Sequence, residues 1–179
     1  MVEKISLKDI AGSQREQKFI EAAMKFVCQD KDVEKFLREK ALDFDKRNKS
    51  RTYLLVDSEQ DEEIVILGYY TITIKNLPFT YAVSKTMVKK IDGYSNNVNS
   101  AESILIGQLG KDYNHKESIS GSLVLDHAVN TVYAVHNLAG CRIVFLECSD
   151  NEKIVKFYKD NGFVFLQKSG EYLQMIRYL

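Results

Sequence analysis

The sequence predicts an α+β fold (α/β-type) built on a central sheet of mixed strand direction. Apolar residues recur at helical spacing between residues 16 and 46, and runs typical of strands follow from Thr52. From Ile104 onward, strand-like and helix-like segments alternate. A chain of 179 residues is typical of one compact domain, so we expect a single domain over 1–179.

The composition argues against several classes of protein. Because 25 Lys and Arg residues balance 25 Asp and Glu residues, the net charge of zero gives no global attraction to nucleic acid or anionic membranes. The apolar stretches are shorter than the roughly 20 residues of a membrane span, and the N-terminal residues lack a signal-peptide core. Cys28, Cys141 and Cys148 have neither CxxC nor metal-ligand spacing, so we expect a reduced, cytoplasmic protein without a metal site.

The first half of the chain predicts two helices followed by a hairpin. The helical segment 16–46 is interrupted by a polar stretch near 29–32, where we expect a break. Strands are predicted at Thr52–Asp57 and from Ile64 to Ile74, with a polar turn at Ser58–Glu63 between them. The two strands should pair in antiparallel fashion.

The second half alternates between strands and helices. A short helix is expected to end at Gly93, and a strand follows at Ile104–Gly110. A long helix should end at Gly140 and lead into a buried strand at Ile143–Cys148. A short helix at Ile154–Phe163 and two strands, FVFLQ and EYLQMIRYL, complete the chain.

The segment between the Ile104–Gly110 strand and the long helix could hold an anion. A loop that enters a helix N-terminus presents unpaired N–H groups and a partial positive charge, which suit a phosphate. Ser118, Ser120 and Ser122 can cap this helix, and Lys116 adds a positive charge. An ordinary capped helix is the alternative interpretation.

A second motif follows the Ile143–Cys148 strand. Asn151 precedes Phe157-Tyr158 and Gly162-Phe163, and the order and spacing of this motif and the loop resemble the GNAT superfamily of acyl-CoA-dependent N-acetyltransferases. The resemblance implies a mixed, mostly antiparallel central sheet flanked by helices. It also implies that acetyl-CoA is the co-substrate and that a primary amine attacks it directly.

A narrower resemblance concerns the first half of the chain. FLREKALDFDKRNKSRTYLLVD, followed by ILGYYTITI, is similar to the toxin-like branch of that superfamily. Members of that branch acetylate the amino acid carried on charged tRNA. This resemblance implies aminoacyl-tRNA as an alternative acceptor.

The loop departs from the family pattern Gln/Arg-x-x-Gly-x-Gly/Ala. Lys116 can stand for the opening residue and Gly121 matches the last one, but Ile119 replaces the middle glycine and Glu117 adds a carboxylate. Backbone N–H donation does not depend on side chains, whereas close approach of the backbone does. A GNAT-like binding protein with a degenerate loop and no activity is therefore a further alternative. The resemblance implies cofactor-binding roles for Leu109, Gly110, Lys116, Glu117, Ser118, Ile119, Ser120, Gly121, Ser122 and Asn151.

Two side chains are candidates for catalysis. The resemblance implies that Tyr158 donates a proton to the departing CoA thiolate, and a core aromatic is the alternative. Glu147 lies late in an apolar strand and could act as a general base or point into solvent. Asn151 could contact the cofactor, cap the following helix, or both. We do not expect Cys148 to act as a nucleophile, because direct transfer is the usual route of the resembled family.

The expected partners follow from the charge and the resemblance. We expect a small-molecule or aminoacyl amine as acceptor, and the net charge of zero disfavours tRNA without excluding it. Lys85, Lys89 and Lys90, with Tyr81 and Tyr94 nearby, could contact RNA or could form a solvated helix face. We expect no membrane association, and a homodimer stays open.

Overall fold

The computed structural model describes residues 1–58 and 63–179, so the expected turn at 58–63 lies largely outside the described residues. The strands are β1 (Val2–Ser6), β2 (Arg51–Asp57), β3 (Ile66–Pro78), β4 (Ser100–Lys111), β5 (Ile143–Ser149), β6 (Val164–Ser169) and β7 (Tyr172–Tyr178). The helices are α1 (Leu7–Ile10), α2 (Glu16–Lys25), α3 (Lys31–Glu39), α4 (Ala41–Lys46), α5 (Lys85–Asp92), α6 (Gly121–Ala139) and α7 (Glu152–Asp160). In this part of the chain, no helix is long and apolar enough to cross a membrane.

The strands form a mixed sheet in the order β1-β2-β3-β4-β5-β7-β6. The pairs β1–β2, β2–β3, β5–β7 and β6–β7 are antiparallel, whereas β4 and β5 run parallel. The parallel register aligns Ile104–Ile106 with Val144–Leu146. The predicted α+β class, with a mostly antiparallel sheet and flanking helices, is confirmed.

The chain divides into two compact units. Unit 1 contains Met1–Thr73 and Gly107–Val129, and unit 2 contains Ile74–Ile106 and Asn130–Leu179. The single domain over 1–179 stays a prediction.

The core of unit 1 lies between the first four helices and strands β2 and β3. Phe19 of α2, Leu37 of α3 and Phe26 are all buried there, and Phe26 packs edge-on against Tyr69 with ring centroids 5.6 Å apart. The Tyr69 hydroxyl donates to the carbonyl of Val33 at 2.5 Å, which fixes α3 on the sheet. Sequence periodicity correctly predicts that these helices bury an apolar face. It wrongly predicts one helix where the structure has α3 and α4, and it does not predict β1 or α1.

The core of unit 2 lies between α5 and strands β5, β6 and β7. Ile91 of α5 packs with Phe145, Leu166 and Ile176, which are also buried. As predicted, α5 ends at Gly93, whose φ of 86° belongs to the left-handed region that favours glycine.

Candidate active site

One candidate region is the loop region, residues 111–122 of unit 1. Ser120 caps α6, since its hydroxyl oxygen accepts from the N–H of Leu123 at 3.1 Å and its carbonyl accepts from that of Val124 at 3.2 Å. By helix geometry, the N–H groups of Gly121 and Ser122 have no partner within α6. The predicted cap is therefore present, and two backbone donors remain at the positive end of the helix dipole.

Lys111, at the end of β4, fixes the shape of this loop. Its ammonium group donates to the carbonyl oxygens of Lys116 and Ile119 at 3.0 and 3.1 Å. Charge-assisted hydrogen bonds to two carbonyls restrict the backbone between them. Sequence reasoning did not identify Lys111, although a lysine at the junction of a strand and a phosphate-type loop was the available signal.

The side chain that replaces the family's middle glycine is buried within unit 1. Ile119 is only 3% exposed, and its Cδ1 lies 3.7 Å from the position that a Cβ on Gly68 would take. Lys116, Glu117 and Ser118 are exposed. Because its bulk is buried, Ile119 is compatible with anion binding by the loop backbone. Glu117 is the one departure that adds negative charge at the surface.

A buried carboxylate anchors the start of the loop. Asp112 is 2% exposed, and one of its carboxylate oxygens accepts from the N–H of Val27 at 2.8 Å. The other oxygen lies 2.5 Å from Nδ1 of His115. The Nδ1 atom of His115 therefore makes a structural contact within the loop.

Gly110 has a packing reason to be glycine. A Cβ at this position would lie 2.7 Å from Cγ1 of Val33 and 3.1 Å from Sγ of Cys28. The absence of a side chain therefore allows α3 to pack closely against β4. The backbone roles expected for Leu109 and Gly110 toward the pantetheine arm stay predictions.

A separate candidate region lies in unit 2 and includes Tyr158 of α7. Tyr158 is half-buried, and its ring packs edge-on against Phe157 and Phe163 with centroids 5.1 and 5.9 Å away. Phe163 is 1% exposed, whereas Phe157 is half-buried, so Phe163 supplies the core aromatic of this motif. The role of Tyr158 as an acid stays a prediction.

Asn151 performs the structural role that was one of its two alternatives. Its side-chain oxygen accepts from the N–H groups of Lys153 and Ile154, at 3.0 and 3.4 Å, and so caps α7. A contact of Asn151 with the cofactor is not tested by this arrangement and stays a prediction.

Glu147 ends a chain of hydrogen bonds that we call the glutamine relay (Gln167, Gln174 and Glu147). Gln174 donates to Oε1 of Glu147 at 2.7 Å and accepts from Gln167 at 2.6 Å. Gln167 also donates to the carbonyl of Pro78 and accepts from the N–H of Thr80, both at 2.8 Å. The glutamines are 3% and 5% exposed, whereas Glu147 is exposed. The relay therefore holds one oxygen of a solvent-accessible carboxylate in place.

An irregularity between β6 and β7 aligns the relay. Phe165 lies opposite Met175, but the next pair is Gln167 with Gln174, so Leu166 is an extra residue. Gln174 lies directly opposite Glu147 in the neighbouring β5–β7 pair. The extra residue thus brings Gln167 onto the same row as Gln174 and Glu147.

Cys148 lies in a different environment from its neighbour Glu147. It is 6% exposed, its Sγ lies 3.8 Å from the sulfur of Met175, and burial raises the pKa of the thiol. A raised thiol pKa reduces the thiolate fraction at neutral pH, which disfavours nucleophilic attack. Within the described residues, no cluster of His, Cys, Asp and Glu could hold a metal ion.

Comparison with solved structures gives consistent matches over nearly the whole chain. AtaT complexed with acetyl-methionyl-tRNAfMet is 23% identical, covering 97% of this chain and 94% of that one, with a TM-score of 0.73. A tyrosine-to-phenylalanine mutant of the AtaT toxin, bound to acetyl-CoA and the C-terminus of the antitoxin AtaR, is 22% identical, covering 99% and 92% with a TM-score of 0.72. A tyrosine-to-phenylalanine mutant of KacT is 22% identical, covering 97% and 93% with a TM-score of 0.72. No protein-family model and no curated protein matches the chain.

At these identities the matches establish the fold. The class of fold is that of the GNAT acetyltransferases, as the paired motifs predicted. Within that class, the similar structures are those of AtaT and KacT, so the narrower resemblance to the toxin-like branch is confirmed at the level of the fold.

Proposed function

We propose that this protein is an N-acetyltransferase that moves the acetyl group of acetyl-CoA to the amino acid carried on a charged tRNA. The observation that carries the proposal is the fold match with AtaT, over 97% of this chain, in a complex with acetyl-methionyl-tRNAfMet. A second AtaT structure contains acetyl-CoA. The loop region and Tyr158 supply the corresponding chemistry in this chain.

The comparisons support aminoacyl-tRNA over a small amine as the acceptor. The sequence argument against tRNA was the net charge of zero. That argument is weak, because phosphate binding depends on local positive charge rather than on the total. The alternative acceptor of the toxin-like branch is therefore the better proposal.

Each proposed residue has one role in the reaction. The loop backbone, with Lys116, binds the pyrophosphate of acetyl-CoA, and Asn151 contacts the same co-substrate. Backbone groups of Leu109 and Gly110 pair with its pantetheine arm, and N–H groups of that strand stabilise the negative charge that develops on the thioester oxygen.

The transfer itself needs a series of proton movements. Glu147 takes a proton from the substrate ammonium, and the resulting neutral amine attacks the thioester carbonyl carbon. A C–N bond forms and the C–S bond breaks, so CoA leaves as a thiolate. Tyr158 donates its phenolic proton to this thiolate, and the new amide nitrogen gives its extra proton to the Tyr158 phenolate. Glu147 releases the proton it took to solvent, so both side chains return to their starting states.

A binding protein without activity is the second candidate, and the loop no longer favours it. Its motivation was that Ile119 and Glu117 would spoil the pyrophosphate loop. The burial of Ile119 removes the steric part of that argument. We also propose a reducing, cytoplasmic location, which the free thiols of Cys28, Cys141 and Cys148 support.

The variant Tyr158→Phe tests the proposal. We expect it to lower kcat for CoA release by about 10²- to 10⁴-fold, because the general acid is lost, while calorimetry detects unchanged acetyl-CoA binding. Aminoacyl-tRNA should be acetylated, whereas deacylated tRNA should not. The matched control is Tyr172→Phe, which removes a hydroxyl from an exposed tyrosine of β7.

Three results would contradict the proposal or part of it. Failure of the unmodified protein to bind acetyl-CoA would favour the inactive binding protein. Normal turnover by Tyr158→Phe would remove Tyr158 from the mechanism. Acetylation of small amines in preference to aminoacyl-tRNA would restore the first-expected acceptor.

A further inference from the structure

The segment around α5 carries a local excess of positive charge. Residues 75–101 contain four lysines and one acidic residue, Asp92, although the whole chain is neutral. Lys85, Lys89 and Lys90 are exposed on α5. The carboxylate of Asp92 accepts from the backbone N–H groups of Tyr94 and Ser95, at 3.1 and 2.6 Å, so it is used within its own turn. The segment therefore presents a positive surface.

One exposed tyrosine precedes α5 in the chain and another follows it. Tyr81, before α5, and Tyr94, directly after Gly93, are 105% and 93% exposed. Rings this exposed are not part of the core of unit 2. Aromatic faces next to lysines are the combination that binds single-stranded nucleic acid, because bases stack on the rings while the ammonium groups contact the phosphates.

The cations at the C-terminal end of α5 are held in position. The Lys90 ammonium lies 4.3 Å from the centroid of the Tyr178 ring, and Nε of Arg142 donates to the carbonyl of Ile91 at 3.1 Å. A Cβ on Gly93 would lie 2.6–2.8 Å from three atoms of the Arg142 guanidinium, so this group packs directly against the Gly93 backbone. Ordered cations lose less conformational entropy when a ligand binds.

The glutamine relay connects this surface to Glu147. Thr80, the residue before Tyr81, donates its N–H to Gln167, and Gln167 and Gln174 continue the path to the Glu147 carboxylate. Three hydrogen bonds thus link the backbone beside Tyr81 with the carboxylate proposed to accept the substrate proton. An RNA end stacked on Tyr81 would contact the residue next to Thr80, whose N–H donates to the first glutamine of the relay.

We propose that Tyr81, Lys85, Lys89, Lys90, Tyr94 and Arg142, the α5 surface, bind the single-stranded end of an RNA. The acceptor end of the charged tRNA is its substrate, and this identification rests on the proposed function. The two exposed rings favour RNA over an acidic peptide, because a peptide carboxylate needs cations but gains little from stacking. The surface lies in unit 2, where Glu147 and Tyr158 also lie.

The test measures binding of a fluorescein-labelled single-stranded RNA with the sequence of a tRNA acceptor end, by anisotropy and without acetyl-CoA. Tyr81→Ala and Tyr94→Ala should each weaken binding by roughly 5- to 150-fold, whereas the Phe variants should bind normally. Each of Lys85→Ala and Lys89→Ala should lower the slope of log Kd against log salt by about 0.7.

Matched controls are Tyr172→Ala and Lys8→Ala, which remove exposed residues outside this surface. All of the substituted side chains are exposed, so circular dichroism should detect a native fold in every variant. The proposal is wrong if the tyrosine variants bind RNA normally. It is also wrong if a polyglutamate peptide or anionic vesicles compete for the surface as well as RNA does.

The readouts separate this proposal from the proposed function. RNA binding that depends on the α5 surface, in a protein that transfers no acetyl group, would leave this proposal standing and overturn the enzyme. Acetylation of aminoacyl-tRNA that is unaffected by the α5 variants would leave the proposed enzyme standing and overturn the proposal for the α5 surface.

Discussion

The loop region and the glutamine relay hold their polar groups in opposite ways. In the loop region, the groups offered to a ligand are the backbone N–H groups at the start of α6, and Lys111 fixes the loop through its carbonyls. In the relay, two buried side-chain amides hold an exposed carboxylate through three hydrogen bonds that begin at the N–H of Thr80. One region depends on backbone geometry and the other on side-chain identity.

This difference predicts how each region tolerates substitution. Ile119 replaces a glycine of the family pattern, yet its side chain is buried and the backbone donors do not depend on it. In the relay, each amide is both a donor and an acceptor, so the loss of one leaves a buried polar group without its partner. We therefore expect larger effects on activity in the relay than in the loop region.

The largest effect is expected at Glu147. Glu147→Gln keeps an oxygen that can accept from Gln174 but removes the carboxylate that takes the proton. If Glu147 is the base, kcat should fall by about 10²- to 10⁴-fold while KM for acetyl-CoA stays unchanged. Steady-state kinetics with aminoacyl-tRNA would measure both constants.

Glu147→Ala separates the role of Glu147 as a base from its role as the hydrogen-bond acceptor of Gln174. This variant also takes the acceptor away from Gln174, so it should lose about 1–3 kcal/mol of unfolding free energy in addition to activity. Normal turnover by Glu147→Gln, together with unfolding of Glu147→Ala at lower urea, would assign Glu147 a purely structural role.

Local sequence patterns predicted most of the helices and strands, whereas pairing between distant strands determines which polar side chains meet. The β2–β3 hairpin, the end of α5 at Gly93 and the cap at Ser120 all follow from neighbouring residues. The strand β1 and the four-residue helix α1 carry little local signal, and the partner of β1 is β2, about fifty residues away in the chain. Their stability comes from tertiary packing.

The relay could not be predicted, because its alignment depends on Leu166. Two glutamines seven residues apart carry no signal by themselves. They meet because the extra residue shifts the β6–β7 register by one position, and strand register determines which face a side chain occupies. The burial of Ile119 likewise brings its Cδ1 next to the side-chain-free position of Gly68 in β3, which lies about fifty residues earlier in the chain and which no local pattern contains.

A smaller effect is expected at Gly110, the glycine of the β4 strand. A Cβ there would lie 2.7 Å from Val33 and 3.1 Å from the Cys28 sulfur, so Gly110→Ala should destabilise the protein by about 1–3 kcal/mol. Because the chain has no tryptophan, urea unfolding followed by far-UV circular dichroism would measure the change.

Val33→Ala provides the matched test of the cause. If the contact with Val33 produces the strain, the double variant should be more stable than the sum of the single changes predicts, by about 0.5–3 kcal/mol. Additive effects would mean that the cost of Gly110→Ala comes from the backbone of β4 and not from the contact with Val33 of α3. Acetyl-CoA binding by the double variant then tests its proposed backbone role separately.

The smallest effect is expected within the three serines at the start of α6. Ser120 makes the capping bond to Leu123, so Ser120→Ala should cost about 0.5–2 kcal/mol, whereas Ser118→Ala and Ser122→Ala should each stay within about 0.5 kcal/mol. Thermal unfolding and calorimetry with acetyl-CoA would test all three. If the loop binds the pyrophosphate through its backbone, acetyl-CoA affinity should fall only where the helix start itself loosens, in Ser120→Ala. Equal losses of affinity in all three variants would instead mean that the hydroxyl groups bind the phosphates, and the loop region would then depend on side chains as much as the relay does.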